Sequence, residues 1–375
     1  MPVERRIIQL DVRPGAATET QSGLARLRPR INGAYERPEG EGKRIAFLLM
    51  HPTSDFSAHP LMTPLAERGL CCMGLNSRYQ NNDSVLLVER VLQDLGTGVR
   101  FLREQGYDKI VLLGFSGGAG LSAAYQAQAT EFTMAHTPAG DRLDLGPGDF
   151  PPADAILLCA AHPGRPRLFV DWLDPSVTDE RDGQSCDSSL DMYDEKNGPP
   201  YAKDFVLRYK AGQIARRDRI ERWVKDRLAH VRKISGGKVT DEAFVIHRTY
   251  ADLRFQDLTL DRNDRESGGI LGDARAFNYA ANSIGRYTSL TSFLSQWASC
   301  SNGDGPDSLA RTKCPVRFVD LTADGSCFPS TVDLWMKAAG DRGSVRAIKG
   351  ADHFLKQKAH LAAVADDIAA WAEAL

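Results

Sequence analysis

The sequence predicts an α/β fold with a mostly parallel, eight-stranded sheet flanked by helices. Continuous apolar runs such as 44–50 and 155–161 are typical of strands that are buried on both faces. Segments with apolar residues at helical spacing, such as 85–106, separate these runs. Strands that alternate with helices in this way form a parallel sheet with helices on both faces.

The individual elements follow from local patterns. Short alternating stretches at 5–12 and 26–35 predict two edge strands. Gly106 directly follows a long helical pattern and is expected to be its C-cap. The other strands are expected at 44–50, 71–75, 109–114, 155–161, 314–321 and 344–348, and helices at 56–69, 85–106, from 121 onward, 201–233 and 360–375.

Residues 163–312 interrupt the alternation of strands and helices. This stretch is richly charged, and its segment 179–200 is rich in Asp, Ser, Gly and Pro, which is typical of a loop. Insertions of this length in a compact domain are usually functional. We therefore expect a large, mainly helical cap at 163–312, inserted between the sixth and seventh strands of a core domain formed by 1–162 and 313–375.

Composition narrows the class of partner. The chain has 375 residues and a formal net charge of −2, which argues against a nucleic acid or an anionic membrane as the partner. No apolar run approaches the ~18 residues of a membrane span. Its seven cysteines lack the spacing of a disulfide framework or a zinc site. We expect a cytoplasmic protein that acts on a small molecule, needs no metal or organic cofactor, and can form a homo-oligomer.

The stretch Gly114-Phe115-Ser116-Gly117-Gly118 joins an apolar strand to a small-residue helix. Such a tight strand-to-helix turn would place Ser116 at its apex, and side chains at Gly114 or Gly118 would collide with neighbouring backbone. The amide of Gly117 and the helix dipole would face the site where an oxyanion forms. A dinucleotide-binding Gly-x-Gly-x-x-Gly pattern does not fit, because Ser116 occupies the place of the second glycine.

A serine hydroxyl needs a base and a carboxylate to act as a nucleophile at neutral pH. Asp324 and His353 each follow a predicted strand, and the chain order is Ser, Asp, His. Asp320, within the strand before Asp324, is the alternative acid. Asp352, next to the histidine, is expected to face solvent.

These motifs resemble those of the α/β-hydrolase superfamily. Gly114 to Gly118 resembles its nucleophile elbow, 322–329 its acid turn, and 350–354 its histidine loop. The resemblance covers about 1–162 and 313–375 and leaves the inserted segment unmatched. It implies an acyl transfer in which Ser116, His353 and Asp324 form the catalytic triad.

The loop after the third strand departs from the family pattern. Many members have His-Gly there, whereas this chain has His51-Pro52-Thr53. Proline has no N–H, so the oxyanion donors are expected to be the amides of Gly117 and Thr53. His51 is expected to hold this loop or to contact the substrate.

Other residues are candidates for the substrate pocket. Phe115, His162 and Arg165 are expected to contact the substrate, and Arg165 with Arg167 would either clamp a carboxylate or be solvated. Aromatic residues of the cap would form its core, a substrate wall or a subunit interface; they are Phe277, Tyr279, Tyr287, Phe293 and Trp297.

The resemblance implies hydrolysis of an ester or lactone of a small organic substrate as the favoured function. The same triad would also serve a hydrolase of carbon–carbon bonds, an amidase or an acyltransferase. A non-catalytic ligand-binding protein on this scaffold is the alternative from another class, because fold does not fix function.

Overall fold

The computed structural model describes residues 2–14, 29–40, 42 and 44–375. Within them the strands are β1 (Val3–Asp11), β2 (Arg30–Pro38), β3 (Ile45–His51), β4 (Cys71–Asn76), β5 (Lys109–Phe115), β6 (Ala155–Cys159), β7 (Val177–Asp179), β8 (Asp182–Cys186), β9 (Ala243–Val245), β10 (Tyr287–Ser289), β11 (Val316–Leu321) and β12 (Gly343–Ile348). The α-helices are α1 (Met62–Glu67), α2 (Val88–Glu104), α3 (Gly118–Thr130), α4 (Arg165–Trp172), α5 (Lys203–Ile234), α6 (Ala274–Tyr279), α7 (Leu290–Gln296), α8 (Gly305–Leu309), α9 (Pro329–Ala339) and α10 (Lys358–Ala372).

Eight strands form one sheet in the order β1-β2-β4-β3-β5-β6-β11-β12. Within this order, every adjacent pair from β4 through β3, β5, β6 and β11 to β12 is parallel. Strand β2 is antiparallel to both of its neighbours, β1 and β4. The mostly parallel, eight-stranded sheet is therefore confirmed. Only β1 of the two expected edge strands lies at an edge, because β2 pairs on both sides, and residues 26–28 lie outside the described residues.

Helices cover both faces of this sheet, as the continuous apolar strands predict. In β3, Leu48 packs on the face covered by α2, α3 and α9, and its neighbour Phe47 packs on the face covered by α1 and α10. Burial on both faces explains why β3 shows no polar alternation.

The first helix is shorter than expected from 56–69. Residues 57–61 form turns, and α1 begins only at Met62. The physical reason is Pro60, which disfavours a helical backbone at the residue before it and has no N–H to donate.

The long helix α5 buries most of the apolar face that its helical spacing predicts, namely Ile220, Val224, Leu228 and Val231, but two residues of that face are exposed. The helical spacing of the sequence places Ile214 and Trp223 on this face as well, yet they are 47% and 48% exposed. The same spacing places Arg216 away from the apolar face, but this arginine is 1% exposed, and its guanidinium donates to Glu180 and to the carbonyl of Asp174. Buried cations are tolerated when they are paired and hydrogen-bonded in this way.

The chain between β6 and β11 lies outside the main sheet. It carries helices α4 to α8 and two small antiparallel sheets, β7 with β8 and β9 with β10. We call residues 163–312 the inserted segment. No helix in the described part of the chain is both long and apolar enough to cross a bilayer.

The carboxyl ends of parallel strands meet at one edge of a sheet and form its ligand crevice. His51 ends β3, Ser116 follows β5, His162 follows β6, Asp324 follows β11 and His353 follows β12. The sheet therefore gathers these five side chains from distant parts of the sequence.

Candidate active site

Ser116 lies at the apex of the turn between β5 and α3. Its φ of +53° is in the left-handed region, which residues other than glycine rarely adopt. A Cβ at Gly114 would lie 2.6 Å from Cα of Ala119, and one at Gly118 would lie 2.3 Å from the carbonyl oxygen of Met50. The strained elbow and the need for both glycines are therefore confirmed.

His353 and Asp324 reach this serine from two other strand ends. His353 Nε2 lies 3.1 Å from Ser116 Oγ. His353 Nδ1 lies 2.8 Å from Asp324 Oδ2. The histidine and the aspartate are 2% and 0% exposed. The structure thus brings the three residues together in one hydrogen-bonded chain.

The buried carboxylate of Asp324 is well supplied with donors. Besides His353, the backbone amides of Ser326 and Cys327 donate to Oδ1, at 2.8 and 3.0 Å. Burial by itself raises the pKa of Asp324, but the charge and hydrogen bond of His353, together with His162 and the Ser326 amide, bring it below the ordinary value. Asp324 is therefore ionised at neutral pH.

The two other carboxylates near the histidine lie differently. Asp320 is on β11, where burial, followed by the neighbouring Asp324, raises its pKa. Asp352 Oδ1 accepts from the amide of Lys356 at 3.0 Å. The carboxylate that bonds to His353 is therefore Asp324.

A second histidine lies behind this pair at the end of β6. His162 Nε2 is 2.9 Å from Ser326 Oγ, and that hydroxyl is 3.0 Å from Asp324 Oδ1 and 3.2 Å from His353 Nδ1. The His162 ring stacks on His353, with centroids 5.3 Å apart, and meets Trp172 edge-on. Burial, followed by the charge of His353, lowers the pKa of His162 to about 3. His162 thus packs against His353 as a neutral side chain. The sequence analysis does not predict the hydrogen bonds through which Ser326 connects His162 to Asp324 and His353.

The loop after β3 is organised around the ring of His51. The amides of Thr53 and Ser54 donate to His51 Nδ1, at 3.1 and 2.8 Å. The Thr53 amide, expected to bind the oxyanion, is therefore already engaged by a side chain. Gly117, the other expected donor, lies directly after Ser116 at the start of α3.

Phe115 lies beneath the site and not on an open pocket wall. It is 4% exposed, and its ring meets His353 and His59 edge-on at centroid distances of 5.8 and 4.6 Å. The geometry therefore favours support of His353 over the substrate contact expected for Phe115.

Two arginines that are close in sequence face different ways. Arg165, at the start of α4, has Nη2 3.5 Å from Thr53 Oγ1, and its guanidinium lies 4.6 Å from the ring centre of Trp297. Arg167 pairs with Asp304 at 2.7 Å and belongs to the outer surface. Only Arg165 reaches the loop beside Ser116.

The aromatic residues of the inserted segment fall into two groups. Phe293 and Trp297 are buried in its core, and Phe277 packs partly against a neighbouring cluster. Tyr279 and Tyr287 are 44% and 54% exposed. Trp297 alone of these residues contacts Arg165.

A cavity of about 420 Å³ adjoins His353. Residues 264–270 and Gly272 of the inserted segment line one side, and Gly325 and Phe354 of the core loops line the other. A wider cavity of about 700 Å³ lies between β7, α5 and β9, and its lining includes none of the Ser116, His353 and Asp324 group. The smaller cavity is therefore the one that borders the site.

Within the described ranges of the chain, no cysteine thiol bonds to Ser116, His353 or Asp324, although the Cys327 amide donates to Asp324. All seven are free, and burial raises the pKa of Cys71 to about 12, which leaves that thiol protonated. Among the described residues, no group of three or more His, Cys, Asp or Glu side chains is arranged to hold a metal ion.

The sheet order, the serine elbow after β5, and the acid and histidine loops after β11 and β12 together define the α/β-hydrolase fold. The resemblance that the motifs indicate is thus confirmed at the level of the fold.

The chain is similar to several solved structures at low sequence identity. The esterase domain of a Rhodothermus marinus protein is 12% identical, with a TM-score of 0.46 over 98% of each chain. A monoacylglycerol lipase of Paleococcus ferrophilus is 10% identical, with a TM-score of 0.44 over 99% of this chain and 98% of the lipase. A dienelactone hydrolase of Anabaena variabilis is 10% identical, with a TM-score of 0.42 over 98% of this chain and 96% of the hydrolase. No protein-family model and no curated protein matches the sequence.

Proposed function

We propose that this protein is a serine hydrolase that cleaves an ester or lactone of a small organic substrate through an acyl-enzyme on Ser116. The observation that carries the proposal is the hydrogen-bonded chain from Ser116 Oγ to His353 Nε2 at 3.1 Å and from His353 Nδ1 to Asp324 at 2.8 Å. This arrangement supplies a nucleophile, a base and a group that orients the base.

The reaction would proceed in two acyl-transfer steps. Ser116 Oγ attacks the substrate carbonyl while His353 Nε2 takes the hydroxyl proton, and the amide of Gly117 donates to the oxyanion. Collapse of the tetrahedral intermediate breaks the bond to the leaving group, which receives its proton from His353. Water, deprotonated by the same nitrogen, then releases the acid and restores Ser116. Asp324 stabilises the imidazolium in both steps.

The inserted segment would act as the cap that selects the substrate. Its first residues pack tightly against the helix of the elbow, because a Cβ at Gly120 would lie 2.8 Å from Cα of Gly164. Its residues 264–270 line the cavity next to His353. A cover in this place would exclude water and shape the pocket.

Arg165 would favour substrates that carry a carboxylate. Its side chain is only 12% exposed, and among the described residues its single carboxylate partner is Asp83, at 3.5 Å. Burial lowers the pKa of Arg165, and Asp83 only partly offsets this effect. A buried cation with so long an ion pair can still gain from a substrate anion.

This specificity can be measured with matched esters. In Arg165→Gln, we expect KM for the mono-p-nitrophenyl ester of succinate to rise about 10- to 100-fold, the value of one or two charge-assisted hydrogen bonds, with little change for p-nitrophenyl butyrate. Arg167→Gln, at a surface ion pair, is the matched control. Equal changes for the acidic and the neutral ester would contradict the carboxylate assignment.

The function itself is tested by covalent labelling. A fluorophosphonate probe should add once to the intact protein, peptide mapping should locate the adduct on Ser116, and Ser116→Ala and His353→Ala should both lose it. The unlabelled protein should hydrolyse p-nitrophenyl esters of one or more acyl lengths. A folded wild-type protein that neither takes the label nor turns over any ester would overturn the proposal.

A further inference from the structure

The loop after β3 offers no free backbone amide at Pro52, Thr53 or Ser54 to act as a second oxyanion donor. Pro52 has no N–H, and the amides of Thr53 and Ser54 both donate to the ring of His51. The loop that would supply a main-chain donor therefore uses its amides to hold a side chain. One fixed donor, the amide of Gly117, remains.

Those two hydrogen bonds fix the tautomer of His51. Because Nδ1 accepts two N–H groups, it carries no proton, and a neutral imidazole must then carry its proton on Nε2. Burial, followed by the charge of Arg165, holds the pKa of His51 well below its ordinary value. His51 is thus neutral, with a single N–H on Nε2.

This N–H lies against the backbone of the elbow. A Cβ built on Gly117 would lie 2.7 Å from His51 Nε2. This nitrogen therefore lies next to the backbone of Gly117, the residue that follows Ser116 in the chain. Within the described part of the chain, no atom accepts a hydrogen bond from Nε2. A neutral donor without a partner therefore stands beside the first oxyanion donor.

We propose that His51 Nε2–H is the second oxyanion donor of this enzyme. The inference rests on the proposed function, since it assigns a residue to the same acyl transfer. It also explains the glycine at position 117, because any side chain there would push the imidazole away. The donor is a neutral imidazole held by main-chain amides, so it is fixed before the reaction begins.

The test separates the two nitrogens of the ring. His51→Asn keeps an oxygen near the Nδ1 position, where it can hold the loop, but removes the Nε2 donor; His51→Gln can place an amide N–H near Nε2. We expect His51→Asn to lower kcat about 100- to 1,000-fold with KM changed much less, and His51→Gln to recover part of that loss. His59→Gln, at another buried histidine whose Nδ1 accepts a backbone amide, should keep kcat within about threefold.

Gly117→Ala provides a second variant that removes no hydrogen-bonding group. The backbone at Gly117 has φ −60° and ψ −16°, which alanine adopts readily, so the added methyl acts mainly by displacing His51. We expect a loss of kcat similar to that of His51→Asn, and little further loss when the two changes are combined.

Labelling distinguishes the two proposals. If Ser116 of the wild type takes the fluorophosphonate while His51→Asn, or Gly117→Ala, turns over esters at the wild-type kcat, the role of His51 is overturned and the hydrolase stands. If the folded wild type is neither labelled nor active, the hydrolase proposal fails and this inference with it. Circular dichroism of each variant identifies any that has not folded, and the other variant then decides.

Discussion

Two histidines approach Ser116 from opposite loops, and they differ in what binds their Nδ1 atoms. His353 Nδ1 lies 2.8 Å from the carboxylate of Asp324, which accepts a hydrogen bond from the Nδ1–H. His51 Nδ1 instead accepts the amides of Thr53 and Ser54. The ring of His353 therefore presents an unprotonated Nε2 to the serine hydroxyl, whereas the ring of His51 carries its proton on Nε2.

The surroundings of the two rings strengthen this contrast. A proton taken up by His353 is stabilised by the buried, ionised Asp324. A proton taken up by His51 would be opposed by burial and by the cation of Arg165. In the proposed mechanism the same side chain thus acts as a base at one position and as a neutral donor at the other, because the group bonded to Nδ1 and the local charge differ.

The largest effect is expected when the partner of His353 is changed to resemble that of His51. In Asp324→Asn the new amide can donate to Nδ1, which moves the proton to Nε2 and leaves no base for Ser116. We expect kcat for p-nitrophenyl esters to fall about 10⁴-fold while the protein remains folded.

Asp320→Asn is the matched control, since it removes a carboxylate from β11, the strand that Asp324 follows. It should keep kcat within about tenfold. If Asp324→Asn loses no more activity than Asp320→Asn, the tautomer of His353 does not depend on this carboxylate, and the contrast with His51 is lost.

The sequence predicts the parts of this site that depend on local patterns. The turn at Ser116 requires small neighbours at Gly114 and Gly118, and strand ends place Asp324 and His353 at the crevice, so motif and strand context together predict these residues, with Asp320 left as the alternative acid. The sheet follows in the same way, because buried parallel strands have a distinctive apolar pattern.

The parts that the sequence does not reveal depend on contacts between distant elements. That His162 meets Ser326 follows from the pairing of β6 with β11, which no local pattern specifies. That the Thr53 amide is taken by His51 follows from the rotamer of one side chain. Arg165 and Arg167 look equivalent as sequence, yet they point to different sides of one short helix.

The smallest expected effect concerns stability in acid, to which three neutral histidines, His51, His59 and His162, contribute in the same direction. Burial lowers the pKa of His59 and of His162 to about 3 and that of His51 well below 6.5. As pH falls below 6.5, the unfolded chain takes up protons at these residues while the folded chain does not. Stability should therefore be lost as the pH drops from about 6.5 toward about 3, by up to about 1.4 kcal/mol per pH unit for each histidine.

His59→Gln tests this without touching the proposed machinery. Denaturant unfolding at pH 7.5, 6.0 and 5.0 should give a slope of unfolding free energy against pH that is shallower than the wild type by up to about 1.4 kcal/mol per unit below pH 6.5. His230→Gln, at an exposed position of α5, controls for the substitution itself. Asp324 acts in a lower window, because its depressed pKa contributes stability above about 3.8 that is lost only in stronger acid. Equal slopes for His59→Gln and the wild type would mean that His59 is protonated in the folded protein, and the neutral state assigned to His51 on the same grounds of burial would then need direct measurement by NMR.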